Sequence, residues 1–470
     1  RFNSNTQHFQ MKSFFLGLVA LIISLPCLAA FTTIKGSAGN SYLNKPVFIY
    51  GLDDAISDRK VFLGEAKVDA EGNFKLEINF EGILAAEISI NRIIGRVYLK
   101  SGNTYSLYFP DLPNDQIKSF GGTNEVDVTL YDLPDSDPNL QIGEFNLALE
   151  AFYLQRINSA FTTEYRRDLL AFWKEYSSKY AAYDFVGNYI HFACANALLN
   201  GGLNPEKVHE LFLDSAAYNT RNPEFGIFIK EFFPNIFQEI DRFSENPEIK
   251  LTVNVAPRAY RILEELKKND FLEDLKLREL VALHGIQETY NLEEYNRENL
   301  LEICEQLRVR SIYEDVRKVA TNVAHELTYL KPGKPLPDVD FGSYDNKKVN
   351  TSEFRGKPTL YLFWAPWSQV ALNELVNLQN MQSTWGDRLN LVLVAVGENK
   401  EMGEKALDLV PNLNATKLNY FENPRVIDQL GISSIPHFML CDEEGKIIKH
   451  YSSSLDELLS TIKREVQAKG

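Results

Sequence analysis

The fold of the C-terminal part of the chain is decided by ten residues, Leu362-Phe363-Trp364-Ala365-Pro366-Trp367-Ser368-Gln369-Val370-Ala371. They begin inside an apolar run, 359–364, that predicts a buried strand, and they lead into a segment with helical spacing. The run 389–396 predicts another strand, and 438–441 and 447–451 flank a Glu-Glu-Gly turn typical of a hairpin. With a final helix over 454–468, the pattern predicts an α/β unit with a mixed sheet.

Two further segments accompany these ten residues. Gly356-Lys357-Pro358 lies upstream, and Gly431-Ile432-Ser433-Ser434-Ile435-Pro436 follows about 70 residues downstream. Together they resemble the exported thioredoxin-like (thiol–disulfide interchange or redoxin-type) family of Bacteroidetes, whose members have the pattern F-W-A-x-W-C-x-x-C. The resemblance covers residues 332–470. It implies a cis peptide bond before Pro436, which faces the active-site loop, and a groove beside this proline that binds extended polypeptide.

The chain departs from that family at both catalytic positions. Ser368 and Ala371 stand where the family has its two cysteines. Disulfide exchange needs a thiolate nucleophile and a second sulfur, whereas a serine hydroxyl is not ionised near neutral pH and alanine has no nucleophile. Dithiol catalysis at this site is therefore excluded, and we predict no catalytic residue here. Ser368 is predicted to cap the helix that follows it.

The resemblance also gives a candidate binding groove. His437 supports two interpretations: a half-exposed side chain beside a loop, or the base of a hydrolytic pair with Ser368, for which the sequence offers no oxyanion or acid partner. The groove candidates are Trp364, Trp367, Ser368, Ile435, Pro436 and His437.

The cysteines and histidines predict no cofactor or metal site. Cys194, Cys304 and Cys441 lie in apolar contexts, where buried free thiols are the usual outcome. A disulfide between Cys194 and Cys304 is the alternative, and the sequence does not decide between the two. No C-x-x-C remains, the seven histidines have no zinc spacing, and no nucleotide-binding motif is present.

The start of the chain predicts export. Met11 and Lys12 precede an apolar run over 14–25 and the segment Pro26-Cys27-Leu28-Ala29-Ala30, the layout of a secretory signal peptide. The run is too short to span a membrane, so the mature protein is expected to lack a transmembrane helix and to reside in the periplasm. Lipid anchoring through Cys27 is less favoured because Pro26 precedes it.

Composition and periodicity predict a multidomain protein. The 470 residues are 44% hydrophobic and 24% charged, which is ordinary for a globular protein, and the net charge of −15 argues against a nucleic-acid partner. Short runs with turn signals predict an N-terminal antiparallel β-sandwich, and helical stripes predict a central all-α block before the α/β unit. The predicted segments are 1–30 (upstream extension plus signal peptide), 31–135 (sandwich), 141–330 (helices) and 332–470 (thioredoxin-like).

The helical stripes are interpreted mainly as core. One stripe runs through Ile312, Val316, Val319, Val323 and Leu327. Aromatic residues at the same kind of spacing either pack in the core, the favoured interpretation, or line a ligand groove. These aromatics are Phe145, Phe152, Phe172, Trp173 and Tyr176.

Three functional hypotheses follow. The leading one is an exported, redox-inactive thioredoxin-fold protein without enzymatic activity. It would serve as a binding or scaffold module in the cell envelope for an extended polypeptide or envelope protein. The alternative is a thiol–disulfide oxidoreductase or redoxin-type enzyme that uses the cysteines outside the motif or a partner's thiols. The third places the function in the helical block.

Overall fold

The computed structural model describes residues 31–467 except 91–92, 113–123, 182–183, 215–216, 245, 247, 346, 397–399 and 421–425. The predicted signal peptide, including Cys27, lies outside the described residues. Within them, no helix has both the length and the apolar character needed to cross a membrane.

Residues 32–131 form two sheets. The first has the strand order β4-β1-β7-β9 and the second β3-β2-β5-β6-β8. The strands are β1 (Thr32–Ala38), β2 (Pro46–Asp54), β3 (Arg59–Lys67), β4 (Asn73–Ile78), β5 (Ile83–Ile90), β6 (Ile93–Lys100), β7 (Thr104–Phe109), β8 (Asn124–Val126) and β9 (Thr129–Tyr131).

The two sheets enclose an apolar core, but they are not wholly antiparallel as the sequence predicts. Alternating side chains of β4 (Phe74, Leu76 and Ile78) are buried in this core. However, β1 pairs with β7 in parallel, and so does β6 with β8. These parallel pairs join strands that are not hairpin neighbours, so turn signals alone do not reveal them.

Residues 138–328 are helical. The first helix begins at Pro138, with Asp137 as its N-cap, and so starts before the predicted boundary at 141. The helices are α1 (Pro138–Arg156), α2 (Thr163–Ser177), α3 (Phe185–Asn200), α4 (Pro205–Phe212), α5 (Pro223–Phe232), α6 (Ile236–Arg242), α7 (Glu248–Val255), α8 (Ala259–Leu266), α9 (Leu275–Thr289), α10 (Arg297–Arg310) and α11 (Glu314–Thr328).

The helical stripes are core, with one correction. Phe145 and Phe152 are buried in α1, and Val316, Val319 and Val323 are buried in α11. Ile312 was predicted to begin the second stripe, but it precedes α11 and is exposed. The helical core also includes Ile56 from the turn after β2, and Ile83 and Tyr98 from the second sheet.

Residues 340–467 form a seven-stranded mixed sheet in the order β11-β10-β14-β13-β12-β15-β16, with apolar clusters on both faces. The elements are β10 (Asp340–Ser343), β11 (Lys348–Asn350), β12 (Thr359–Trp364), α12 (Gln369–Met381), β13 (Asn390–Ala395), α13 (Lys400–Ala406), β14 (Thr416–Asn419), α14 (Val426–Gln429), β15 (His437–Cys441), β16 (Ile447–Ser452) and α15 (Leu459–Gln467).

Candidate functional site

The candidate site lies where β12 leads into α12. After Trp364 the chain turns, and the Ser368 N–H donates to the carbonyl of Ala365 at 3.1 Å. Ser368 is the N-cap of α12, and its Oγ accepts a hydrogen bond from the Ala371 N–H at 3.3 Å. The predicted capping role is confirmed. Helix α12 therefore begins directly after Ser368, although neither residue 368 nor residue 371 is a cysteine.

The two tryptophans of the motif have opposite environments. Trp364 is fully buried in one apolar cluster of the sheet, whereas Trp367 is 54% exposed. Val370, on the first turn of α12, is 60% exposed and adds apolar surface close to Trp367 in the chain. Val370 is not among the groove residues predicted from the sequence, although its position two residues after the cap gives it an outward-facing place on the first turn.

Pro436 enters the site from the neighbouring strand. The Ile435–Pro436 peptide bond is cis, as the resemblance implies, and β15 runs antiparallel to β12 with His437 opposite Phe363. Ile435 is partly buried and lies outside the strand ladder. Its backbone N–H and C=O have no hydrogen-bond partner among the described residues. This leaves the backbone groups of Ile435 available for pairing.

His437 is buried, not half-exposed, which corrects the first interpretation of this residue. Its side chain is 1% exposed and is surrounded by the rings of Phe363, His450 and Tyr451. Nε2 lies 2.8 Å from the His450 carbonyl, so this nitrogen carries the hydrogen, and Nδ1 has no partner. Burial lowers the pKa of His437 to about 4, although the hydrogen bond to the His450 carbonyl opposes this shift.

The Ser368–His437 pair is not formed. The histidine uses Nε2 for the His450 carbonyl, its Nδ1 makes no hydrogen bond, and the serine Oγ accepts from the helix start. A hydrolytic mechanism needs a nucleophile bonded to its base, and this arrangement does not supply one.

The three described cysteines are free and buried, so the Cys194–Cys304 disulfide is not formed. Cys304 donates its S–H to the Ala320 carbonyl at 3.1 Å. Burial raises the pKa of Cys304 and of Cys441 to about 12 and raises that of Cys194 as well. Thiol chemistry requires an accessible thiolate, and these environments disfavour it.

Metal-ligating side chains are not clustered in the part of the chain that the structure describes. No group of three or more His, Cys, Asp or Glu residues there has a geometry that holds a metal ion.

The C-terminal sheet, its helix-capped loop and the cis proline beside that loop define a thioredoxin-like fold, the fold of thiol–disulfide oxidoreductases. Over 124 residues the chain is 27% identical to the thioredoxin-like protein YneN of Bacillus subtilis (strain 168). The aligned residues make up 25% of this chain and 69% of YneN. No known protein-family profile matches the chain.

Solved structures similar to this chain include two disulfide oxidoreductases. The thioredoxin domain of a thiol-disulfide oxidoreductase from Bacteroides vulgatus is 23% identical, covering 29% of this chain and 98% of that one, with a TM-score of 0.27. A secreted disulfide oxidoreductase of Mycobacterium tuberculosis is 19% identical, covering 28% and 95%, with a TM-score of 0.24. Each likeness involves less than a third of this chain.

Proposed function

We propose that this chain is an exported, redox-inactive thioredoxin-fold protein that binds extended polypeptide in the groove beside Pro436. One observation carries the proposal: the surroundings of a dithiol site are kept while Ser368 and Ala371 replace both sulfurs. A binding function needs the loop, the helix start and the proline, but it does not need the sulfurs.

The surface around Pro436 supports a polypeptide ligand. Trp367 and Val370 offer exposed apolar side chains, and the unpaired backbone groups of Ile435 can bond to an extended strand. Main-chain hydrogen bonds give affinity in this mode of recognition, and neighbouring apolar side chains add contact area. The proposal includes export to the periplasm, which rests on the signal-peptide layout of residues 11–30.

The redox part of the proposal is tested by the reduction of insulin with dithiothreitol as electron donor. We expect no turnover above the uncatalysed rate, because neither Ser368 nor Ala371 can form a mixed disulfide with the substrate. Turnover that a change at Ser368 or Pro436 abolishes would show that the site is catalytic. A protein of this fold with an intact C-x-x-C serves as the positive control.

The binding part is tested with carboxymethylated α-lactalbumin, which stays unfolded and carries no free thiol. We expect the full chain to bind it, and Val370→Asp to weaken binding by about tenfold because a charge replaces apolar contact. Val309→Asp is the matched control, since Val309 is 62% exposed on α10, far along the chain from the site. Equal affinity of the two variants, or no binding by the unaltered chain, would contradict the proposed groove.

A further inference from the structure

A cavity of about 320 Å³ lies in the helical part of the chain, between α1, α2, α3 and α5. The helices that line it also contribute side chains to the helical core, so the walls of the cavity are supported by packed apolar residues. The volume falls in the range of small-molecule sites, which usually combine apolar walls with a few polar groups. It is unrelated to the groove beside Pro436.

The polar wall of the cavity is a hydrogen-bonded network. The Asn196 Nδ2 donates to the Glu224 carboxyl Oε2 at 2.9 Å and to the Glu224 backbone carbonyl at 3.2 Å. Tyr189 and Asn146 bond to each other, with their hydroxyl and amide groups 3.2–3.3 Å apart. A fixed network of this kind orients its remaining donors and acceptors for a ligand.

Asn196 leaves one part of this network unsatisfied. The residue is 7% exposed, and its Oδ1 has no hydrogen-bond partner among the described residues. Buried polar atoms are nearly always paired, so this acceptor beside the cavity leaves hydrogen-bonding capacity in the network that the described residues do not use.

Part of the lining is aromatic. Tyr153 and Tyr165 line the cavity together with Phe161, whose ring is exposed. Phe161 has φ of 67°, a left-handed conformation that is unusual for a bulky side chain. Such outliers collect at ligand-binding positions, where the surrounding structure holds them.

Charge limits the class of ligand. The described residues that line the cavity include no Lys, Arg or His, and the nearby guanidinium of Arg166 is bonded to the carbonyls of Phe161 and Gly201. The lining therefore favours an uncharged ligand over a phosphate or a carboxylate. Burial raises the pKa of Glu224, which favours its uncharged form over an ion pair with a bound cation. The hydroxyls and amides on the walls donate and accept hydrogen bonds, and the carboxyl of Glu224 accepts them.

We propose that this cavity binds a neutral, polyhydroxylated ring of the size of one pyranose. Vicinal hydroxyls of a sugar both donate and accept, which matches the wall formed by Asn146, Asn196 and Glu224. The C–H face of the ring packs on the tyrosines.

The test is calorimetric titration of the full chain with methyl glucopyranoside, methyl mannopyranoside, methyl galactopyranoside and N-acetylglucosamine, each up to about 50 mM. We expect saturable binding of at least one of them. Tyr153→Leu should weaken it about tenfold through the lost ring face. Tyr260→Leu should leave it unchanged, because Tyr260 is an exposed tyrosine on α8 that does not line the cavity.

A second variant separates a neutral ligand from a cationic one. Glu224→Gln keeps the size of the side chain and removes its possible charge, so it should abolish the binding of any ligand that depends on that charge. Failure of all four pyranosides to bind would overturn the proposal. So would saturable binding of tetramethylammonium that Glu224→Gln abolishes. Thermal unfolding of each variant shows whether the fold is kept.

Discussion

Ser368 caps the start of α12, but its hydroxyl does not supply the thiol that a cysteine at this position would have. Its Oγ accepts the Ala371 N–H, which satisfies one of the free donors at the start of α12. Ala371 is fully buried, so the small side chain is packed. The proposed loss of dithiol chemistry therefore involves two side chains and leaves the loop and the helix start intact.

At the residue scale, His437 should make stability depend on pH. In the unfolded chain its pKa is about 6.5, whereas burial holds it at about 4 in the folded protein. Between these values the unfolded state binds more protons, so the free energy of unfolding falls as the pH falls from 6.5 to 4. The contribution of this residue is up to about 3 kcal/mol. Urea unfolding at pH 7.0 and pH 4.5 measures it.

The variant His437→Gln isolates this contribution from those of other titrating groups. A glutamine amide donates to the His450 carbonyl but does not titrate, while His450 and Tyr451, which face the ring, stay in both proteins. We expect the stability of the natural chain relative to the variant to be about 2–3 kcal/mol greater at pH 7.0 than at pH 4.5. A difference that does not change with pH would mean that His437 protonates freely when folded.

The sequence was sufficient for some of these residues and insufficient for others. The cap at Ser368 and the cis bond before Pro436 depend on local sequence and on the family pattern, and both were predicted. The burial of His437 depends on β12 and β16, which flank β15 on its two sides. Such cross-strand neighbours are far away in the chain, so local sequence does not reveal them.

At the element scale, α5 is held against the loop after β2 by a glycine. A Cβ on Gly226 would lie 2.2 Å from the carbonyl oxygen of Ala55 and 2.5 Å from its Cβ. Because a backbone group cannot move aside cheaply, we expect Gly226→Ala to lower the free energy of unfolding by about 1–3 kcal/mol. Denaturant unfolding measures the change.

Gly143→Ala is the control for that substitution. Gly143 also lies inside a helix, α1, but a Cβ there has no neighbour within 4 Å. It should raise the free energy of unfolding by about 0.5–1 kcal/mol, because alanine favours the helix. If both substitutions stabilise the protein, α5 does not approach the loop as closely as described.

Periodicity predicted the elements better than it predicted their partners. The strands 359–364 and 389–396 and the helix after Ser368 agree with β12, β13 and α12 to within a residue. The parallel pairing of β1 with β7, however, joins segments about 70 residues apart. Strand alternation specifies which face is buried but not which strand lies alongside.

At the scale of the whole molecule, the sandwich and the helices share apolar and polar contacts. Tyr98 of β6 packs against Phe185 and Tyr189 of α3, and its backbone bonds to the side chain of Asn139. The thioredoxin-like part is connected to the sandwich by a hydrogen bond from Gln429 to the Tyr50 hydroxyl. The predicted division into domains therefore does not imply that the first two parts unfold separately.

Asn322 gives a direct test of that coupling. From α11 it donates to the carboxylates of Asp53 and Asp54 in β2, at 2.8 and 2.7 Å, and Asp54 is fully buried. Asn322→Ala removes a donor from buried carboxylates, which costs about 1–3 kcal/mol. Circular dichroism of the helices and hydrogen exchange of the sandwich amides should report the same decrease in the free energy of unfolding, since the two parts share the contact.

Asn373→Ala, at an exposed position of α12, is the control and should change the free energy of unfolding by less than about 0.5 kcal/mol in both measurements. If Asn322→Ala shifts the helical transition alone, the sandwich unfolds independently of the helices.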